Sequence, residues 1–419
     1  MGSGAAFFIR ARRVGFHTAR GGRYIGRLVH RILLLITDLE IGGTPTVVRE
    51  LATRLSRARA DVHVEVACLA HWGPVATQLR DAGVTVHAFG ARSPFEIINV
   101  VKKLSRLVRE RHCDTVFSFL IHANTVAAFA SRLGTGGGVR FIQSIQTTQP
   151  RPRWHWWLQR LVHHAAERVV VPSPSAATVA HERADVPREK IVVIPNAIAP
   201  ADFGGMGVSP VRGPLEGQMS AANIAGRDAH ATFHVGFVGR LDPVKRIPDL
   251  LAAIAALDER FKLHVFGEGA EREHIKSVTD RYGITRRVKL HGAVAKPRAA
   301  LEQIDLLVLP SQAEGFGLVL IEAMASGVPV VATDVAGICD VVRDGETGLL
   351  VPVATPPALA RAIRRIADDD ALRRTLVEHA LADVRQRFTW DVVLPQYEAL
   401  LCAQPAAQPE ARKPVEAFT

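Results

Sequence analysis

At 419 residues the chain is longer than a single core usually grows, so two domains are the default. A hydrophobic content of 48 % excludes a disordered chain, and four scattered cysteines (Cys68, Cys113, Cys339, Cys402) argue against a disulfide scaffold or a thiolate zinc site. The formal charge of +11 is uneven: seven arginines and no carboxylate in residues 1–31 supply +7 of it.

That basic arm, residues 1–28, reads first as a solvated, poorly ordered tail and second as a contact for an anionic membrane surface; nucleic acid is not the expected partner. Arginines interrupt each of its apolar runs, so it does not read as a secretory signal. No stretch approaches the roughly 20 apolar residues of a spanning helix. The expectation is a cytoplasmic protein, soluble or peripheral at the inner face of the membrane.

The first strand is the apolar run Val29–Ile36, followed by the loop LEIGG. Thr44-Pro45 then suits an N-cap and first helical turn, with Val47, Val48, Leu51 and Leu55 on one face. Further apolar runs at Val62–Cys68, Val84–Phe89, Thr115–Phe119, Val139–Ile145, Val169–Pro172 and Ile191–Ile194 alternate with helical patterns. The alternation stops from Ala199 to Ala231 and restarts with Val235–Val238, Lys262–Phe266, Val288–Leu290, Leu306–Leu309 and Val328–Ala332. Strand–helix repetition of this kind predicts α/β folding around parallel sheets. The boundaries read as a domain over 29–199, a linker over 200–231, a second domain over 232–387, a helix over 388–403 that crosses back to the first domain, and a tail over 404–419. Two doubly wound, Rossmann-like domains facing each other make a cleft at their strands' carboxyl ends.

The most informative segment is PSQAEGFGLVLIEAMASG, Pro310–Gly327. Glu314 precedes Gly315-Phe316-Gly317-Leu318, and Glu322 follows eight positions after the first carboxylate. Glycines at a helix start let the backbone approach a ligand, and the free amides favour an anion. Two carboxylates so placed can accept hydroxyls from different parts of one elongated ligand. In HVGFVGRLDPVKR, Gly239-Arg240 ends a strand and Lys245 follows across a turn, two cations suited to a diphosphate. Gly267 and Gly269 form a turn after KLHVF, Gly42-Gly43 precede the first helix, and His122 follows TVFSF.

The E-x7-E pair in its strand–loop–helix setting resembles the donor-site signature of glycosyltransferase family 4, retaining enzymes of the GT-B fold. The resemblance runs from about Leu33 to Tyr397 and is strongest in the C-terminal half. It implies that Glu314 meets the donor sugar, Glu322 the ribose and the amides of Gly315, Phe316, Gly317 and Leu318 the sugar or diphosphate. Arg240 and Lys245 would hold the diphosphate. Gly239, Gly267 and Gly269 would line the nucleotide, Gly42-Gly43 would face the diphosphate from the opposite wall, and His122 would lie near sugar and acceptor.

Two positions depart from that family's usual pattern: Gln146 stands where many relatives carry His, and Ala197 interrupts the usual PNG turn. The implied reaction is retaining transfer of a hexose-type sugar from a nucleotide diphosphate, UDP ahead of GDP, to a hydroxyl of a glycan or lipid-linked acceptor. By the same resemblance it proceeds by front-face attack and needs neither metal nor other cofactor. A sugar-nucleotide epimerase or hydrolase of the same fold, or a noncatalytic binding protein, is the alternative. An NAD-dependent oxidoreductase lacks the GxGxxG turn it needs after the first strand. Lastly, RPRWHWWLQRLVHHAAER (Arg151–Arg168) places Trp154, Leu158, Leu161 and Ala165 on one helical face, with arginines suited to a membrane interface.

Overall fold

The computed structural model describes residues 29–133, 138–149, 152–199, 232–294 and 297–403. The basic arm 1–28, the linker 200–231, the tail 404–419 and Arg151 lie outside the described residues. The first sheet comprises β1 (His30–Ile36), β2 (Val62–Cys68), β3 (Thr85–Ala88), β4 (Thr115–Phe119), β5 (Arg140–Ser144), β6 (Arg168–Val171) and β7 (Ile191–Val193), ordered β3-β2-β1-β4-β5-β6-β7. The second comprises β8 (Phe233–Val238), β9 (Phe261–Phe266), β10 (Val288–Gly292), β11 (Leu306–Leu309), β12 (Val330–Thr333) and β13 (Leu349–Val351), ordered β10-β9-β8-β11-β12-β13. Both sheets are parallel throughout, for example Leu34 opposite Val66 and Phe117. These are the two doubly wound α/β units that the alternation predicts.

Central strands read as unbroken apolar runs because helices cover both faces. Ile32, Leu34 and Ile36 join one core, Leu33 and Leu35 the other. In each sheet the strand order reverses once, between β1 and β4 and between β8 and β11. The chain leaves a parallel sheet in opposite directions at such a point and opens a crevice at the carboxyl ends. His122, Gly42-Gly43, Arg240, Lys245 and Glu314 all follow these four strands.

The first helix differs from its predicted start. It spans Gly43–Ala58, with Gly42 in the N-cap position and no side-chain cap. Thr44 therefore lies inside the first turn, and Thr46 donates from Oγ1 back to the Gly42 carbonyl at 2.8 Å. The sequence preference for Thr at a cap loses to a glycine pair that needs no Cβ against the opposing wall.

The last helix, Trp390–Leu401, packs on the first domain: Trp390, Val393, Tyr397 and Leu401 are buried in the core that also holds Ile32, Leu34 and Phe117. Its carboxyl end is gripped by three strands. The Leu401 carbonyl accepts from His30 Nε2 at 2.9 Å and Thr115 Oγ1 at 3.0 Å, and Arg140 Nη1 donates to the Leu400 and Ala403 carbonyls at 3.0 Å each. A buried guanidinium here meets carbonyls a helix end leaves without intrahelical donors and complements the negative end of the dipole.

Candidate active site

Glu314 sits in the loop after β11, just ahead of the helix Leu318–Ala325. Its Oε1 accepts from Lys245 Nζ at 2.5 Å and from Ser311 Oγ at 2.7 Å. The two charged side chains are 11 % and 14 % exposed, so the pair is largely withdrawn from water. An ion pair this shielded costs about 3–5 kcal/mol when one partner is removed, because the other charge is left uncompensated. Both donors converge on one oxygen, which leaves Oε2 to accept a ligand hydroxyl and two of the three ammonium protons of Lys245 for an anion.

Lys245 closes a 3₁₀ turn, Pro243–Lys245, that precedes Arg246 in the left-handed region at φ 50°. The turn is tied to the β11 loop by Gln312 N donating to the Val244 carbonyl at 2.8 Å. Arg240 lies nearby in sequence but differs in character. It is 68 % exposed and pairs with Asp242 at 3.0 Å, a surface contact worth well under about 1 kcal/mol and easily exchanged for a phosphate.

The glycines have separable reasons. Gly317 adopts φ 78° as the N-cap of the helix that starts at Leu318, a conformation a Cβ disfavours. A Cβ on Gly315 would stand 2.1 Å from the Gln146 carbonyl oxygen, so this glycine is dictated by the approach of the other domain. Gly267 and Gly269 let the loops after β8 and β9 lie in contact: Cβ atoms there would meet the carbonyl oxygens of Gly239 and Leu241 at 1.8 and 2.5 Å. Gly43 faces Leu318 across the cleft, with its hypothetical Cβ 3.2 Å from Leu318 Cδ1. Gly42 is extended and meets only Pro45. The Phe316 side chain is buried and packs edge-on against Phe388, ring centroids 5.5 Å apart. Only its backbone is therefore available to a ligand. Glu322 is half-buried in the second turn of the same helix.

On the N-terminal wall, His122 occupies the first turn of the helix Ile121–Arg132. Leu120 before it sits at φ 72°, ψ 155°, a strain of about 1–3 kcal/mol for a residue with a Cβ. Burial lowers the His122 pKa from its ordinary value, against a smaller opposing pull from Asp38, so the ring is held neutral. It meets Trp154 and His155 edge-on, centroids 5.9 and 5.7 Å away. A buried amide network fixes that arrangement. Ser118 donates to Asn124 Oδ1 at 2.8 Å, Asn124 Nδ2 donates to the Ser144 carbonyl and to Gln159 Oε1, and Gln159 donates to Gln143 Oε1 at 2.9 Å.

Several residues in this arrangement carry no recognisable signal in the sequence. Thr148 donates from Oγ1 to the Glu314 carbonyl at 2.5 Å, joining the two domains at the carboxylate's own backbone. Ser175 N donates to Asp340 Oδ2 at 3.0 Å as a second link. Gly337, at φ 88°, presses on Glu314 so closely that a Cβ would lie 2.4 Å from its carbonyl oxygen. Ser311 lies three residues before Glu314 in the segment singled out from sequence, and spacing alone offered it as a partner.

The face proposed for Trp154, Leu158, Leu161 and Ala165 is corrected in part. In the helix Arg153–Val162, Trp156, Gln159 and Val162 turn inward, whereas Trp154, Trp157 and Leu161 are exposed and Leu158 and Ala165 half-buried. The inward face follows Gln159, which the amide network draws into the core. Among the described residues no His, Cys, Asp or Glu cluster could hold a metal ion, and no helix is long and apolar enough to cross a membrane.

Comparison with known proteins agrees with this geometry. Residues 228–382 match the family model described as Glycosyl transferases group 1, and residues 41–202 match Glycosyltransferase Family 4. A D-inositol 3-phosphate glycosyltransferase of Streptomyces avermitilis is 33 % identical over 241 residues, 54 % of this chain and 50 % of that protein. An uncharacterized glycosyltransferase of Methanocaldococcus jannaschii is 32 % identical over 159 residues, covering 37 % and 41 % of the two chains. These matches span half or less of each relative's length. The crystal structure of Anabaena HepE in complex with UDP and glucose superposes with a TM-score of 0.73 at 22 % identity, over 89 % of this chain and 99 % of that one, a likeness of fold. The chain thus carries a Glycosyltransferase Family 4 domain followed by a Glycosyl transferases group 1 domain, joined in the GT-B fold of glycosyltransferases.

Proposed function

We propose that this chain is a retaining glycosyltransferase that moves a hexose-type sugar from a nucleotide diphosphate, UDP ahead of GDP, to a hydroxyl acceptor in cell-surface glycan or glycolipid synthesis. The observation that carries the reading is the convergence of Lys245 and Glu314 beside the helix that starts at Leu318. A diphosphate placed there meets the ammonium, the exchangeable Arg240 and the amides of the helix start, so negative charge growing on the leaving group is met by groups already oriented. Oε2 of Glu314 accepts a hydroxyl of the donor sugar, and Glu322 on the next turns takes the ribose.

The acceptor approaches from the N-terminal wall, where a neutral His122 offers a hydrogen bond without adding positive charge. In front-face attack the departing phosphate oxygen takes the acceptor's proton, which leaves the protein the tasks of positioning and charge stabilisation. In this reading the diphosphate's charge is met by the chain's own cations, without a metal. Thermal-shift measurements with a panel of nucleotide sugars, followed by product analysis, test the proposal. Stabilisation by a UDP-sugar and an α-configured product from an α-donor are expected; an inverted product removes the retaining assignment, and no response to any nucleotide sugar removes the whole reading.

A further inference from the structure

All strands of the first sheet are parallel, so the loops after β2, β3 and β5 emerge along the edge that also bears His122. Each of these loops carries a large apolar side chain outward at or near its end. Phe95 is 95 % exposed and Ile98 68 %, both after β3; Trp72 follows β2 and Trp154 follows β5, each about half-exposed. The loops are cross-linked, so the edge is a surface of fixed shape. Gly90 N donates to the Ala70 carbonyl, Arg92 Nε donates to His71 Nε2 at 3.2 Å, and Trp154 contacts His122.

The charge along the edge has one dominant sign. Residues 91–106 contain four cations and the single carboxylate Glu96, and residues 152–166 contain two arginines and none. Arg92, Lys102 and Arg153 are exposed beside the apolar side chains. The carboxylates of this edge, Asp38 and Glu40, stand in the β1 loop. Exposed aromatic and aliphatic side chains interleaved with cations match the interface of an anionic bilayer, where rings sit at headgroup depth and cations meet lipid phosphates. A protein partner with an apolar patch would satisfy the side chains but would not call for cations on several loops at once.

We propose that the edge bearing Trp72, Phe95, Ile98 and Trp154 docks on an anionic membrane surface and turns the cleft mouth toward it, so that the acceptor is a saccharide carried on a lipid. The docking face stands on its own observations; the statement about the acceptor rests on the transferase reading above.

Co-sedimentation of the full chain with vesicles of phosphatidylcholine, with and without phosphatidylglycerol, tests the docking. Binding to the mixed vesicles that weakens at high salt is expected, and the double variant Phe95→Ser, Ile98→Ser reduces partitioning by about tenfold or more. Lys102→Glu, a lone surface change, provides a second reading should the double variant fail to fold. A wild-type chain that stays in solution with the mixed vesicles overturns the proposal. So do variants that partition as the wild type does, since binding would then belong to the basic arm 1–28. A nucleotide-sugar thermal shift on the same preparations keeps failure of docking distinct from failure of the donor site.

Discussion

Lys245 Nζ and Glu314 Oε1, from loops that follow different strands, lie 2.5 Å apart in a site where neither side chain is more than 14 % exposed. Carboxylate and ammonium therefore form one unit that orients both partners before any ligand arrives. The sugar-facing and diphosphate-facing roles are coupled at that contact.

The coupling makes the two residues non-additive. Glu314→Ala and Lys245→Ala are each expected to lower turnover by about a hundredfold or more, and the double variant by little beyond the worse single one. Steady-state rates on the three proteins check this. Independent, additive losses would separate the two roles.

Gly315→Ala is expected to hold the domains apart, since its methyl group would stand 2.1 Å from the Gln146 carbonyl. Turnover falls and KM for the donor rises, while thermal unfolding stays close to wild type because the collision is between domains. A rate equal to wild type would show that this contact is not needed in the working state.

Arg140→Ala removes the donor to the Leu400 and Ala403 carbonyls and the partner of Glu167 at 2.8 Å. Leaving such groups unpaired costs about 1–3 kcal/mol. Urea unfolding should show that loss, with the last helix becoming sensitive to proteolysis.

Acid should destabilise the fold through its histidines. His163 and His264 are both lowered from 6.5 to about 4, chiefly by burial. The unfolded chain then binds more protons between pH 6.5 and 4, so stability is complete above that window and falls as pH drops through it. The His163 ring nitrogens have no hydrogen-bond partner, so His163→Phe should flatten the slope without a large loss at neutral pH. Urea midpoints across the window provide the measurement.

The fold was legible because central strands covered on both faces must be apolar throughout, and helices on their flanks must be periodic. The run RILLLI could hardly be anything else. Gly317 was legible for a similar reason, since a helix start at an abrupt turn asks for a positive φ. What the sequence withheld was contact between distant segments. Nothing near Thr148 announces a carbonyl 166 residues away, and Gly315 looked like a ligand-binding glycine when its immediate reason is a neighbouring backbone. The tryptophan-bearing helix was misphased for the same cause: Gln159 is polar, so periodicity placed it outward, yet Asn124 and Gln143 supply partners inside.

The last helix has a bearing on how this protein comes into being. Trp390, Val393, Tyr397 and Leu401 fill the first domain's core from the far end of the chain. During synthesis that domain therefore waits, its apolar seat open, until the whole second domain has emerged. The growing polypeptide is then a client for chaperones over most of its translation, and loss of the final described residues harms the half of the molecule made first.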